Sequence, residues 1–145
     1  MLLCRTKNVS SFNFEDFVVM RDYKKLQVWQ KAHQQYLFIR KNIAPKIPGD
    51  ERYELSSQLL RASLSIPLNI VEGCGRFTDK DFTHFLDNAL GSANEVDYCC
   101  LVAFELNYIT KEEYGAVNLL INETRAMLIS FIKYLRSAKT TTPKP

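Results

Sequence analysis

Gln58–Arg76 reads QLLRASLSIPLNIVEGCGR, and its pattern decides the fold. At about 100° per residue, Leu55, Leu59, Ala62, Ile66 and Ile70 fall on one stripe of a helix. Leu60, Leu64, Leu68 and Val71 form a second apolar stripe well round the cylinder. Gln58, Arg61, Ser65, Asn69 and Glu72 fill the gap between them, an arc of roughly 80°. A helix on the outside of a small bundle needs one apolar stripe, not two. The second stripe therefore marks an expected oligomer interface with another copy of the chain. Pro67 lies inside the helix, where it removes a backbone donor and crowds the carbonyl of Ser63, so a kink is expected.

Downstream, Gly73-Cys74-Gly75 closes this helix, with a glycine expected in the left-handed conformation. Thr78-x-x-Asp81 reads as a capping box opening a third helix, periodic through Phe82, Leu86, Ala89, Ala93, Val96, Cys100 and Ala103. Asn107 and Tyr108 form a short turn. Thr110-x-x-Glu113 opens a fourth helix, striped by Tyr114, Val117, Ile121, Thr124, Leu128, Phe131 and Leu135. Upstream, Ala44-Pro45-Lys46-Ile47-Pro48-Gly49 breaks the chain. Before it a first helix runs from an N-cap at Asp22 to about Asn42, with Leu26, Trp29, His33, Tyr36 and Ile43 as its stripe and Leu37 beside them. No segment alternates like a strand. The pattern predicts an all-α, antiparallel up-down-up-down four-helix bundle with a kinked second helix. It occupies residues 22–137, between a poorly ordered extension (1–21) and a flexible tail (138–145).

With 145 residues and 46% hydrophobic content there is room for one domain with a real core. Cys4, Cys74, Cys99 and Cys100 show no metal or redox spacing and read as free thiols of a reducing cytoplasm. No apolar run is long enough to cross a bilayer, and no signal peptide is recognised in the first 20 residues.

Charge is uneven although the net is only +3. Residues 20–46 carry seven bases against Asp22 alone; residues 77–123 carry nine acids against two lysines; the chain from 124 onward carries five bases and no acid. Basic ends around an acidic middle suit a polyanion. Lys24, Lys25, Lys31, Arg40, Lys41, Arg76, Lys133 and Arg136 are the candidate nucleic-acid contacts, through phosphate rather than base edges. Antiparallel packing would bring Lys24, Lys25, Lys133, Arg136 and Lys139 to one pole. The rival reading is an adaptor that meets an acidic protein, such as a reverse transcriptase surface, without touching nucleic acid.

Enzymatic constellations are missing from the pattern. Asp81-x-x-His84 occurs once, short of the paired Glu-x-x-His that a di-metal bundle requires, and no serine or cysteine has an evident base. Neither metal nor cofactor is expected. Gly73-Cys74-Gly75-Arg76 lacks the strand and Lys-Ser/Thr of a phosphate loop. The seam of helix 2 is the more interesting polar feature. With Ser92 and Glu95 of helix 3 it predicts a buried hydrogen-bonded network holding an Arg61–Glu95 ion pair, Glu72 being the other candidate partner; the alternative reading is a ligand or anion site lining a channel.

These residues resemble the four-helix-bundle proteins encoded in intervening sequences of 23S ribosomal RNA genes. The resemblance rests on Leu26-Gln27-Val28-Trp29-Gln30-Lys31-Ala32, Ser57-Gln58, Arg61-Ala62, Ser65-Ile66-Pro67, Asn69-Ile70, Glu72-Gly73 and Gly75-Arg76. In helix 3 it continues through Phe85-Leu86, Ala89, Gly91-Ser92 and Glu95. That family is similar to the accessory variability protein of diversity-generating retroelements, a pentameric barrel that engages a reverse transcriptase and nucleic acid. The resemblance implies a homo-oligomer, a pentamer by analogy, with nucleic-acid binding and no assigned activity. Leu68 and Val71 depart from it, standing where the family mostly has alanine, and residues 1–19 have no recognised counterpart.

Overall fold

The computed structural model describes residues 21–137, so all of the expected 1–21 extension except Arg21, and the tail over 138–145, lie outside the described residues. Among the described residues every regular element is helical. After a 3-10 turn at Tyr23–Lys25, helix α1 (Gln27–Phe38) continues as a π-helical turn, Ile39–Ile43, and a 3-10 turn, Ala44–Lys46. A 3-10 turn (Gly49–Glu51) and a π-helical turn (Arg52–Ser56) lead into α2 (Ser57–Cys74). Helices α3 (Asp79–Glu105) and α4 (Lys111–Ser137) complete the bundle.

Local chemistry explains the boundaries. Asp22 accepts from the Lys24 amide (3.1 Å) and caps the first 3-10 turn. Thr78 Oγ1 accepts from the Asp81 amide (3.1 Å) at the start of α3. At α4 the capping box is reciprocal: the Glu113 amide donates to Thr110 Oγ1 (3.2 Å) and the Thr110 amide to Glu113 Oε2 (2.8 Å). Helix α3 ends in a Schellman motif, with the Tyr108 amide on the Ala103 carbonyl and the Asn107 amide on that of Phe104, both 2.9 Å. Asn107 supplies the left-handed residue at φ 61°.

The end of α2 corrects the sequence expectation, because no glycine there is left-handed; Gly75 sits at φ −79°, ψ 0°. Gly73 is needed for closeness instead. A Cβ on it would lie 2.6 Å from Phe82 Cδ2 and 3.0 Å from Phe85 Cβ, so glycine lets α3 press onto the last turn of α2.

The core is the inner face of all four helices. Leu59, Ala62, Ile66 and Ile70 meet Phe82, Leu86, Ala89, Ala93, Val96, Cys100 and Ala103, and Val117, Ile121, Leu128 and Leu135 close it. Contacts run α1–α2, α2–α3, α3–α4 and α4–α1 around the bundle. Cross-helix partners pair rising numbers with falling ones, as antiparallel neighbours do: Gln58 with Glu95 and Ser65 with Ser92, Asp87 with Arg136 and Asp97 with Arg125, Lys31 with Glu123 and Lys46 with Glu113.

In α1 the buried line is Val28, Ala32, Gln35, Ile39 and Ile43. The expected stripe shared only Ile43 with it; Leu26, Trp29, His33 and Tyr36 are half-buried on the flank, with Trp29 stacked on His33 at 4.9 Å. A glutamine at the centre of the buried face disguised the true period. Gln35 is wholly buried, and neither its Nε2 nor its Oε1 has a hydrogen-bond partner. An unsatisfied buried amide costs about 1–3 kcal/mol. Gln35→Leu is therefore expected to stabilise the protein, by on the order of 1 kcal/mol in urea titration, with unchanged helical content; a loss of stability would mean that Gln35 has polar partners in solution.

Candidate functional site

The polar seam of α2 packs toward α3, but its members differ in burial. Ser65, Asn69 and Ser92 are half-buried and connected: the Ser65 and Ser92 hydroxyls are 2.9 Å apart, and Asn69 Nδ2 donates to Ser65 Oγ (3.0 Å) and to its carbonyl (2.9 Å). Gln58, Arg61, Glu72 and Glu95 are exposed, which corrects the expectation of a wholly buried network. Arg61 makes no ion pair among the described residues; Gln58 Nε2 donates to Glu95 instead. The reason is solvation. Arg61 is exposed, so it stays hydrated and no desolvation penalty demands a carboxylate. Glu72 pairs with Arg76 one turn on, at 3.4 Å.

The second apolar stripe divides in the same way. Leu60 and Val71 are half-buried, whereas Leu64 and Leu68 are 38% and 53% exposed on the outer surface beside Arg61.

The eight basic candidates also separate. Lys31 is held by Glu123 (2.8 Å), Arg136 by Asp87 (2.6 Å) and Arg76 by Glu72, with the Arg76 guanidinium over the Phe85 ring at 4.5 Å. Lys24, Lys25, Arg40, Lys41 and Lys133 are exposed and form no ion pair among the described residues. The pole where α1 begins is mixed rather than purely basic. Arg21 pairs with Asp79 and lies over the Phe82 ring (4.4 Å), and Asp81 and Asp87 stand near Lys80 and Arg136 in a shallow polar depression. Lys139 lies outside the described residues. Sequence reasoning missed Arg21, because a charged residue ahead of a helix gives no periodic signal.

No group of three or more His, Cys, Asp or Glu side chains converges among the described residues. No described helix is long and apolar enough to cross a membrane. A groove of about 520 Å³ between α1 and α4 is walled by Leu26, Val28, Met127 and Phe131, with only Gln27 and Ser130 as polar lining.

This is an all-α bundle with a partly buried polar seam, exposed lysines that form no ion pair among the described residues, and two outward leucines. The profile of the 23S rRNA-intervening sequence proteins matches residues 24–130, and the chain belongs to that family. Among solved structures it is similar to a protein of unknown function from the S23 ribosomal protein family of Bacteroides thetaiotaomicron VPI-5482. The two are 33% identical with a TM-score of 0.66, over 73% of this chain and 98% of the other. No curated protein matches the sequence.

The thiols complete the site's chemistry. Cys74, Cys99 and Cys100 are free and buried. Burial pushes Cys74 up to about 11, with Arg21 opposing, and pushes Cys100 up to about 12. Burial also raises Cys99, helped by Glu95. Such thiols stay protonated and unreactive at neutral pH. From about pH 9 upward the unfolded chain loses these protons first, so stability falls as pH rises through that window. In a Cys4→Ser variant, Ellman's reagent at pH 8 is expected to label no thiol quickly in the native protein and three on unfolding; rapid native labelling would contradict the buried assignment.

Proposed function

We propose that the protein is a non-enzymatic, cytoplasmic homo-oligomer, pentameric as the family resemblance suggests, that serves as a scaffold holding RNA or DNA through its phosphates. One observation carries the reading. Residues 23–49, which include all of α1, hold Lys24, Lys25, Lys31, Arg40, Lys41 and Lys46 and no acid. Lys31 and Lys46 are engaged by Glu123 and Glu113 of α4. Lys24 and Lys25 at one end and Arg40 and Lys41 at the other remain exposed, with exposed Gln27, Gln30 and Gln34 between them. Sixteen residues at about 1.5 Å rise put Lys25 and Lys41 roughly 24 Å apart, enough to follow several phosphates of a strand. Surface lysines and glutamines contact phosphates without reading sequence.

Exposed Leu64 and Leu68 support the oligomer, since a face of that kind is stabilised by cover from a second copy. Repetition of α1 around such an assembly would multiply weak phosphate contacts into useful avidity.

Filter binding of labelled single-stranded RNA and DNA at two salt concentrations tests the proposal. Retention at low salt should fall steeply as salt rises, by about 0.7 log units of affinity per log unit of salt for each phosphate engaged. Lys24→Glu with Lys41→Glu should reduce that slope. Absence of retention at low salt, or affinity indifferent to salt, would overturn the scaffold reading; capture of polyglutamate in place of nucleic acid would favour an adaptor for an acidic protein.

A further inference from the structure

A second surface lies at the opposite end of the bundle from Lys24 and Lys133. A groove of about 650 Å³ runs between the start of α2 and the last third of α3. Half-buried Leu55 and Val102 line it, together with Tyr53, Tyr98 and Leu106, which are 85%, 66% and 49% exposed. Large apolar side chains left this open on one patch mark interaction surfaces rather than ordinary solvated helix. Three carboxylates, Glu51, Glu54 and Glu95, also line the groove, and no lysine or arginine does.

Those carboxylates differ from the ones that carry ion pairs between distant parts of the chain. Asp79, Asp87, Asp97, Glu113 and Glu123 each meet an arginine or lysine far away in the sequence. Glu51 accepts only from the neutral Tyr108 hydroxyl (3.0 Å) and Glu95 from the neutral Gln58 amide, so neither charge is compensated. Among the described residues Glu54 has no ion pair either. The groove is thus an apolar trough with three carboxylates that form no ion pair among the described residues. Arg52 holds its guanidinium 5.7 Å over the Tyr53 ring, an internal example of the cation contact that this tyrosine supports. The turn Arg52–Ser56 that presents Tyr53, Glu54 and Leu55 is π-helical, a winding that recurs at functional sites.

We propose that this groove docks a basic, leucine-bearing segment of a partner protein. Aliphatic side chains of the guest cover Leu55, Val102 and Leu106, while its lysines or arginines meet Glu51, Glu54 and Glu95 and the faces of Tyr53 and Tyr98. A polyanion is excluded from this surface by like charge. The groove's lining includes none of the phosphate-contact residues, so the two surfaces are separate even though α1 brings Arg40 and Lys41 to the same end of the bundle.

The test is fluorescence anisotropy with a short labelled peptide of lysine and leucine at helical spacing, using the full chain. Binding should be saturable and salt-sensitive, and Glu51→Gln with Glu54→Gln and Glu95→Gln should weaken it at least about tenfold. Tyr98→Ala should weaken it as well, whereas Lys24→Glu with Lys25→Glu should leave it unchanged, which separates this surface from the phosphate-binding one. Circular dichroism confirms that each variant is folded. Absence of binding, or binding indifferent to the three glutamines, would overturn the proposal. So would a drop in assembly mass in the glutamine variant, because a second copy would then be the occupant.

Discussion

Helix α2 has to satisfy three environments around one circumference, and the rest of the bundle is arranged by that requirement. Its inward face, from Leu59 to Ile70, is dry and packs into the core. The side toward α3 is small and polar, so the Ser65 and Ser92 hydroxyls can come within 2.9 Å and the helices can lie close. Alanines at 62, 89 and 93 keep the same approach open on the buried side. Gly73 extends it to the helix end, where a methyl group would collide with Phe82. Arg21 and Arg76 then close over the corner by lying on Phe82 and Phe85. The outward side, with Leu64 and Leu68, is what the single chain leaves open.

Much of this is legible in the sequence because it is local or periodic. The capping residues Thr78 and Thr110 predict the starts of α3 and α4 from short-range hydrogen bonding alone. The α3 stripe is legible because alanine, valine and phenylalanine recur without interruption. Illegible features are those where one residue type serves an unusual purpose. Gln35 breaks the apolar period of α1 while occupying its core, so periodicity points to the flanking aromatics. The glycines after Ile70 read as conformational, yet Gly73 is steric, a matter of which helix crosses there. Asn107, not a glycine, takes the left-handed position. The Arg61–Glu95 pairing fails because both groups are exposed, so burial does not force them together, and Glu95 accepts from Gln58 instead.

Function follows the same division between core and surface. Among the described residues no group of three His, Cys, Asp or Glu side chains converges, whereas the surface is segregated: an acid-free α1 on one side, and an acidic, tyrosine-rimmed groove between α2 and α3 on the other. Ion pairs such as Lys31–Glu123 and Arg125–Asp97 neutralise part of the remaining charge locally. At half-exposed positions such pairs contribute at most about 1 kcal/mol each, so their larger effect is to define which charges stay free for partners.

The account turns on the outward leucines of α2 being covered by another copy of the chain. Multi-angle light scattering of the purified protein tests that most directly. Wild type should give a mass that is a multiple of 16.8 kDa, and Leu64→Glu with Leu68→Glu should return it to 16.8 kDa with helical content intact. A wild-type mass of 16.8 kDa across a wide concentration range would contradict the assembly and remove its support for a multivalent scaffold.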